Sequence, residues 1–163
     1  MREETEVAAI GHDAGRIHGI ELADGSKVDG DAVIIAAGAW SRKLTGLEGK
    51  DRPYVRPNKG QMLSLELGDP PLCKHVIRAP DAYLVPKSSG RLIVGATMEE
   101  MGWDDTMTAG GVFELLRGAW ETLPAVYDQP ILDMWTGFRP MTLDNMPMMR
   151  RSETIDGLVY SLG

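Results

Sequence analysis

The 163-residue chain has one cysteine, Cys73. A single thiol can close no internal disulfide and furnish no cysteine-rich zinc site, which agrees with a reducing compartment. Positive charge is also short. Against 24 Asp plus Glu there are 17 Lys plus Arg, a formal net charge of −7. The basic residues are scattered, so no polyanion-binding surface is expected and nucleic acid is set aside as a partner. Long apolar runs are missing too: the longest, residues 32–37, is far too short for a bilayer span. The opening MREETEV is charged and carries no hydrophobic signal core. Together these features predict a soluble, cytoplasmic protein with no membrane partner. His12, His18 and His75 are dispersed without metal-ligand spacing, and neither Ser41 nor Cys73 has a base nearby in sequence, so no metal and no catalytic residue is assigned. No Gly-x-Gly-x-x-Gly fingerprint occurs; if a dinucleotide binds, its phosphate loop is not among these residues.

What is present reads as short strands and one helix. Residues 7–37 look like a small meander punctuated by "HDAG" and by the turn at Asp24 and Gly25. Its last member differs, because Val33, Ile34 and Ile35 form an unbroken apolar strand, expected to be buried, that ends in the small residues Ala36, Ala37 and Gly38. A connection rich in proline and charge, "KDRPYVRPNKG", leads to residues 61–67. There Leu63, Leu65 and Leu67 alternate with Ser64 and Glu66, predicting a half-buried strand. Strands over 75–78, 82–85 and 91–96, the last two joined by "KSSG", suggest an antiparallel sheet. Thr108 reads as a helix N-cap, and Val112, Leu115, Leu116, Ala119 and Leu123 mark the face of a helix that Pro124 closes and that covers the sheet. Residues 131–136 read as a further strand, followed by a loop carrying Arg139.

Three places could carry chemistry. The small residues in "AAGAW" read as a tight turn after a buried strand or as a close backbone approach to a ligand. Arg139 sits among Trp135, Phe138, Pro140, Met141 and Met148. It reads equally as a structural arginine saturated by carbonyls and as a planar receptor for a carboxylate, whose two parallel hydrogen bonds an apolar surround would strengthen. Tyr83 could donate to the same anion, or be a half-buried core tyrosine. Met98 on composition is core filler, like the other methionines.

The motifs "DAVIIAAGAWS", "PNKGQML", "YLVPKSSGRLIVGATME", "AGGVFELLRGAWETLPA" and "MWTGFRPMTLDNMP" together resemble the amino-acid oxidase family of flavoproteins in order and spacing. The resemblance extends from about Val7 to Gly163 and is closest to members oxidising glycine, sarcosine and similar small amines. It implies an α+β fold, FAD as cofactor and a small amino-acid substrate. It further implies a partial FAD-binding domain over 1–44 with Rossmann-like strands, a partial substrate-binding domain over 45–137 with antiparallel sheet and covering helix, and a return into the FAD-binding domain over 138–163. By this mapping Arg139 anchors the substrate carboxylate, Tyr83 helps to hold it, and Met98 flanks the substrate side chain. Val7, Ala37, Gly38 and Trp40 match positions near the flavin cofactor. Against the family pattern the chain begins after the phosphate-binding loop and stops before a second carboxylate-binding arginine, so a fragment is expected, inactive by itself and prone to homo-oligomerise. After "DNMP" it has Met148, Met149 and Arg150 where the family carries Ile-Gly. The alternatives are a family member acting on sarcosine or D-amino acids, and a catalytically silent module.

Overall fold

A computed structural model describes residues 2–163, which divide into two compact units: the residues up to Pro57 together with Arg139–Gly163, and Asn58–Phe138. The strands are β1 (Val7–Asp13), β2 (Arg16–Leu22), β3 (Lys27–Asp29), β4 (Val33–Ile35), β5 (Val55–Glu66) and β6 (Ile77–Arg78). After them come β7 (Tyr83–Pro86), β8 (Arg91–Gly95), helix α1 (Ala109–Thr122), β9 (Ile131–Thr142), β10 (Met148–Arg151) and β11 (Leu158–Leu162). With antiparallel sheets and a single longer helix, the fold is α+β.

In the first unit β1, β2 and β3 form the expected antiparallel meander. Ala14 and Gly15 take φ of 45° and 75°, the left-handed pair that lets a two-residue turn follow the twist of the strands it joins. β4 leaves the meander and pairs in parallel with β11, which pairs antiparallel with β10. Periodicity assigned no strand to β10 or β11. Ile10, Ile17, Ile35, Leu158 and Tyr160 lie in the core of this unit. Ile34 corrects the expectation of a wholly buried strand: it is 65 % exposed beside Ile35 at 2 %, because successive side chains of β4 point to opposite faces and only one face is covered.

The second unit is built on the sheet order β6-β7-β8-β5-β9. Leu63 and Leu65 of β5, Leu84 of β7, and Leu92 and Val94 of β8 meet Leu115 and Ala119 of α1, as the helical pattern required. Thr108 caps the helix by accepting from the Gly111 N–H at 3.1 Å, and Leu123, just before Pro124, closes it by donating to the Ala119 carbonyl at 2.8 Å. Two strands are longer than their patterns. β5 begins at Val55, inside the supposed connection, and Ser64, expected on an open face, is fully buried. β9 continues to Thr142, so Arg139 lies in a strand and not in a loop. Gly137 and Pro140 mimic a strand end, but β9 is an edge strand, where a missing N–H need cost no ladder bond. Among the described residues no helix is long and apolar enough to cross a membrane.

Candidate functional site

Strand register decides what Tyr83 can do. Leu84 and Val94 pair and face the helix, so their neighbours Tyr83 and Gly95, also paired, project from the other side of the sheet, as does Met62 opposite Gly95. The Tyr83 ring lies across Gly95: a Cβ there would fall inside the ring's van der Waals envelope. Its hydroxyl thereby reaches over β8 and donates to Met62 Sδ at 3.4 Å. A thioether is a weak acceptor, so the O–H is cheaply released to a better one such as a carboxylate.

A polar network that sequence patterning did not single out sits on the helix side. Gln61 continues the Leu63 and Leu65 face of β5 but is itself fully buried. Its amide accepts from the Thr108 N–H at 2.9 Å and donates to Thr108 Oγ1 at 2.9 Å and to Glu99 Oε1 at 2.8 Å. Lys59, with no exposed surface, pairs with Glu99 at 3.1 Å and donates to the Thr106 carbonyl at 3.0 Å. Burial pushes the Glu99 carboxyl up, but hydrogen bonds from Thr97, Gln61 and Lys59 outweigh it, and the net shift is downward. Glu99 therefore stays ionised beside its ammonium partner. The signal was present as polar residues at 59 and 61 in phase with the buried leucines. Thr97 and Glu99 both join this network, whereas Met98 between them is 70 % exposed.

Arg139 is the first residue of the returning segment of the other unit; it is half-buried and engaged. In the same unit Ala37 precedes a 3-10 turn over Gly38–Lys43, which Trp40 enters by donating its N–H to the Ala37 carbonyl at 3.0 Å. Because β4 and β11 run parallel with Ile35 beside Tyr160, their carboxyl ends lie together. Ala36 and Ala37 are exposed, Trp40 is 48 % exposed, and Gly38, at φ 53°, has open space where a Cβ would stand. The small residues after β4 thus leave the backbone at this strand end open to close approach. Val7 opens β1, half-buried, paired with Leu22. Cys73 is half-buried and burial pushes its thiol up, the wrong direction for a nucleophile.

Comparison with known proteins gives this arrangement its relatives. The chain is 35% identical over 167 residues to the bifunctional protein ThiO/ThiG of Synechocystis, covering 100% of this chain and 24% of that one. It is 32% identical over 163 residues to the glycine oxidase of Pseudomonas putida, covering 100% of this chain and 44% of the relative. The crystal structure of glycine oxidase from Bacillus cereus superposes with a TM-score of 0.86 at 30% identity, over 99% of this chain and 44% of that one. The chain thus spans less than half the length of these relatives. The family described as FAD dependent oxidoreductase, DAO, matches residues 1–163, and the chain belongs to it.

Proposed function

We propose that the chain is the substrate-binding portion of an FAD-dependent oxidase that converts glycine, sarcosine and related small amines, with water and dioxygen, to the 2-oxo acid, ammonia or the corresponding amine, and hydrogen peroxide, the imine being hydrolysed by water and the reduced flavin reoxidised by dioxygen. The observation that carries this reading is the whole-chain identity to proteins named glycine oxidase. In that setting the enzyme serves bacterial thiamine synthesis in the cytoplasm. FAD, when bound, supplies the two-electron acceptor. Val7, Ala37, Gly38 and Trp40 would hold it by backbone and ring contacts. The remaining work is orientation. Arg139 receives the substrate carboxylate through its planar fork, and Tyr83 exchanges its weak thioether contact for that same carboxylate. With the carboxylate fixed and the amine neutral, the α C–H is aimed without any side-chain base. Met98 fills the space beside the α carbon and favours small substrates.

The test is Arg139→Ala in the full-length parent. Loss of a charge-assisted pair predicts a drop of about 30- to 150-fold in kcat/KM for glycine, or about 2–3 kcal/mol of transition-state stabilisation. An unchanged value would exclude the carboxylate role.

A further inference from the structure

The first unit contains an open cleft of about 760 Å³ that touches none of the residues assigned above to substrate or flavin. It runs between the segment following β4 and the loop from β9 to β10. Three of its lining residues are guanidinium groups held by uncharged partners. The Arg42 Cζ stands 5.1 Å from the centroid of the Tyr54 ring, the Arg150 Cζ 4.9 Å from that of Tyr160, and Arg52 donates to the Arg42 carbonyl at 3.2 Å. None of the three has an ion-pair partner among the described residues. Lys50 adds a fourth cation, paired with Glu153 at 3.2 Å in a solvent-exposed contact that competes poorly with a better anion. One carboxylate enters the lining, Asp144, and it is already engaged, accepting from the Met146 N–H at 3.0 Å. In a chain of net charge −7, cations gathered around one cleft with a single, occupied carboxylate are not the average surface.

The cleft also has an apolar side. Leu143, Met146 and Met149 line it and are 75 %, 62 % and 79 % exposed. The loop that presents them is fixed from below: Arg56 donates to the Thr142 carbonyl at 2.9 Å, and the Thr142 hydroxyl donates to the Met146 carbonyl at 2.7 Å. Planar guanidinium forks match phosphate oxygens, and several of them suit a dianion better than a single carboxylate. Exposed methionine and leucine offer an adaptable surface for an apolar body. We propose that this cleft binds a phosphate monoester carrying an apolar group, with the phosphate on Arg42, Arg52 and Arg150 and the apolar group against Leu143, Met146 and Met149.

Calorimetric titration of the 163-residue chain with phenyl phosphate and with inorganic phosphate tests this. Phenyl phosphate should saturate at one per chain, bind about fivefold or more tightly than inorganic phosphate through burial of its ring, and weaken as salt is raised. Arg42→Gln and Arg150→Gln, both at exposed side chains, should each reduce that affinity about tenfold, the loss expected for one charge-assisted contact. Lys87→Gln, an exposed cation outside the cleft, should bind like the parent chain. Met149→Ser should weaken phenyl phosphate while leaving inorganic phosphate unchanged. No saturable binding, equal affinity for the two probes, or full affinity in both arginine variants would overturn the proposal. Circular dichroism of each variant separates lost binding from lost fold.

Discussion

At Gly95 the substitution of one hydrogen by a methyl group would force the Tyr83 ring off its strand, since the ring occupies the space a Cβ needs. Gly95→Ala should therefore destabilise the chain by about 1–3 kcal/mol, the usual cost of overpacking. Adding Tyr83→Ser should recover most of that loss, a coupling readable from urea midpoints in a double-mutant cycle. Additive losses would mean that the ring does not depend on the missing side chain. Met98 makes a different demand. Its neighbours Thr97 and Glu99 are anchored while its own side chain is exposed, so trimming it leaves the network intact. In the full-length parent, Met98→Gly should shift preference from glycine toward D-alanine, measured by competition between the two. A constant ratio in a folded enzyme would remove Met98 from the pocket. The arginine in "GFRP" was legible as a lone cation among apolar residues. The glycine under Tyr83 was not, because only strand register shows which residue lies beneath the ring.

Elements are tied together by a buried carboxylate in the first unit. Asp51 ends a 3-10 turn before β5 and is 9 % exposed; Ser152 donates to it at 2.6 Å, Thr154 donates to its other oxygen, and the Tyr160 hydroxyl donates to its carbonyl at 2.7 Å. Burial pushes its carboxyl up, the hydrogen bonds pull it down, and the bonds win: the pKa lies below the ordinary 3.8. Burial, followed by the nearby Asp51 charge, pushes the Tyr160 phenol up to about 12, so it remains a donor through the neutral range. A depressed carboxyl contributes stability that is fully present above its ordinary value and is lost as pH falls through the folded value. Asp51→Asn should therefore lower the thermal midpoint most above about pH 5, and the gap to the parent should narrow toward pH 2. Parallel curves would show that the carboxylate contributes nothing through its charge. The length of an element was less legible than its existence. Helix α1 carried both its cap and its stop in sequence, whereas β5 and β9 run through prolines and charges that look like loop. Their polar groups find partners far along the chain: Arg56 on the Thr142 carbonyl, and Lys59 on Glu99.

For the molecule as a whole, the 163-residue chain is expected to hold FAD poorly by itself. A pyrophosphate needs a glycine-rich turn feeding a helix N-terminus, and no such fingerprint occurs in the sequence. Purified chain should be colourless, form no peroxide from glycine, and self-associate through exposed apolar groups such as Ile34 on the β4 edge. Visible absorbance and light scattering read these outcomes, and a yellow preparation with flavin near one per chain would overturn the first. By itself the sequence determined what depends on neighbours a few residues away: the hairpin turns, the alternation of Leu63 and Leu65, the capped helix, and motifs specific enough to mark the family. Only tertiary structure decided that β4 pairs in parallel with β11, that Tyr83 crosses Gly95, and that Lys59, Gln61 and Glu99 satisfy one another inside the second unit. The physical reason is that local patterns encode side-chain period and turn conformation, while strand partners and the satisfaction of buried polar groups are set by residues that meet only after the chain has closed.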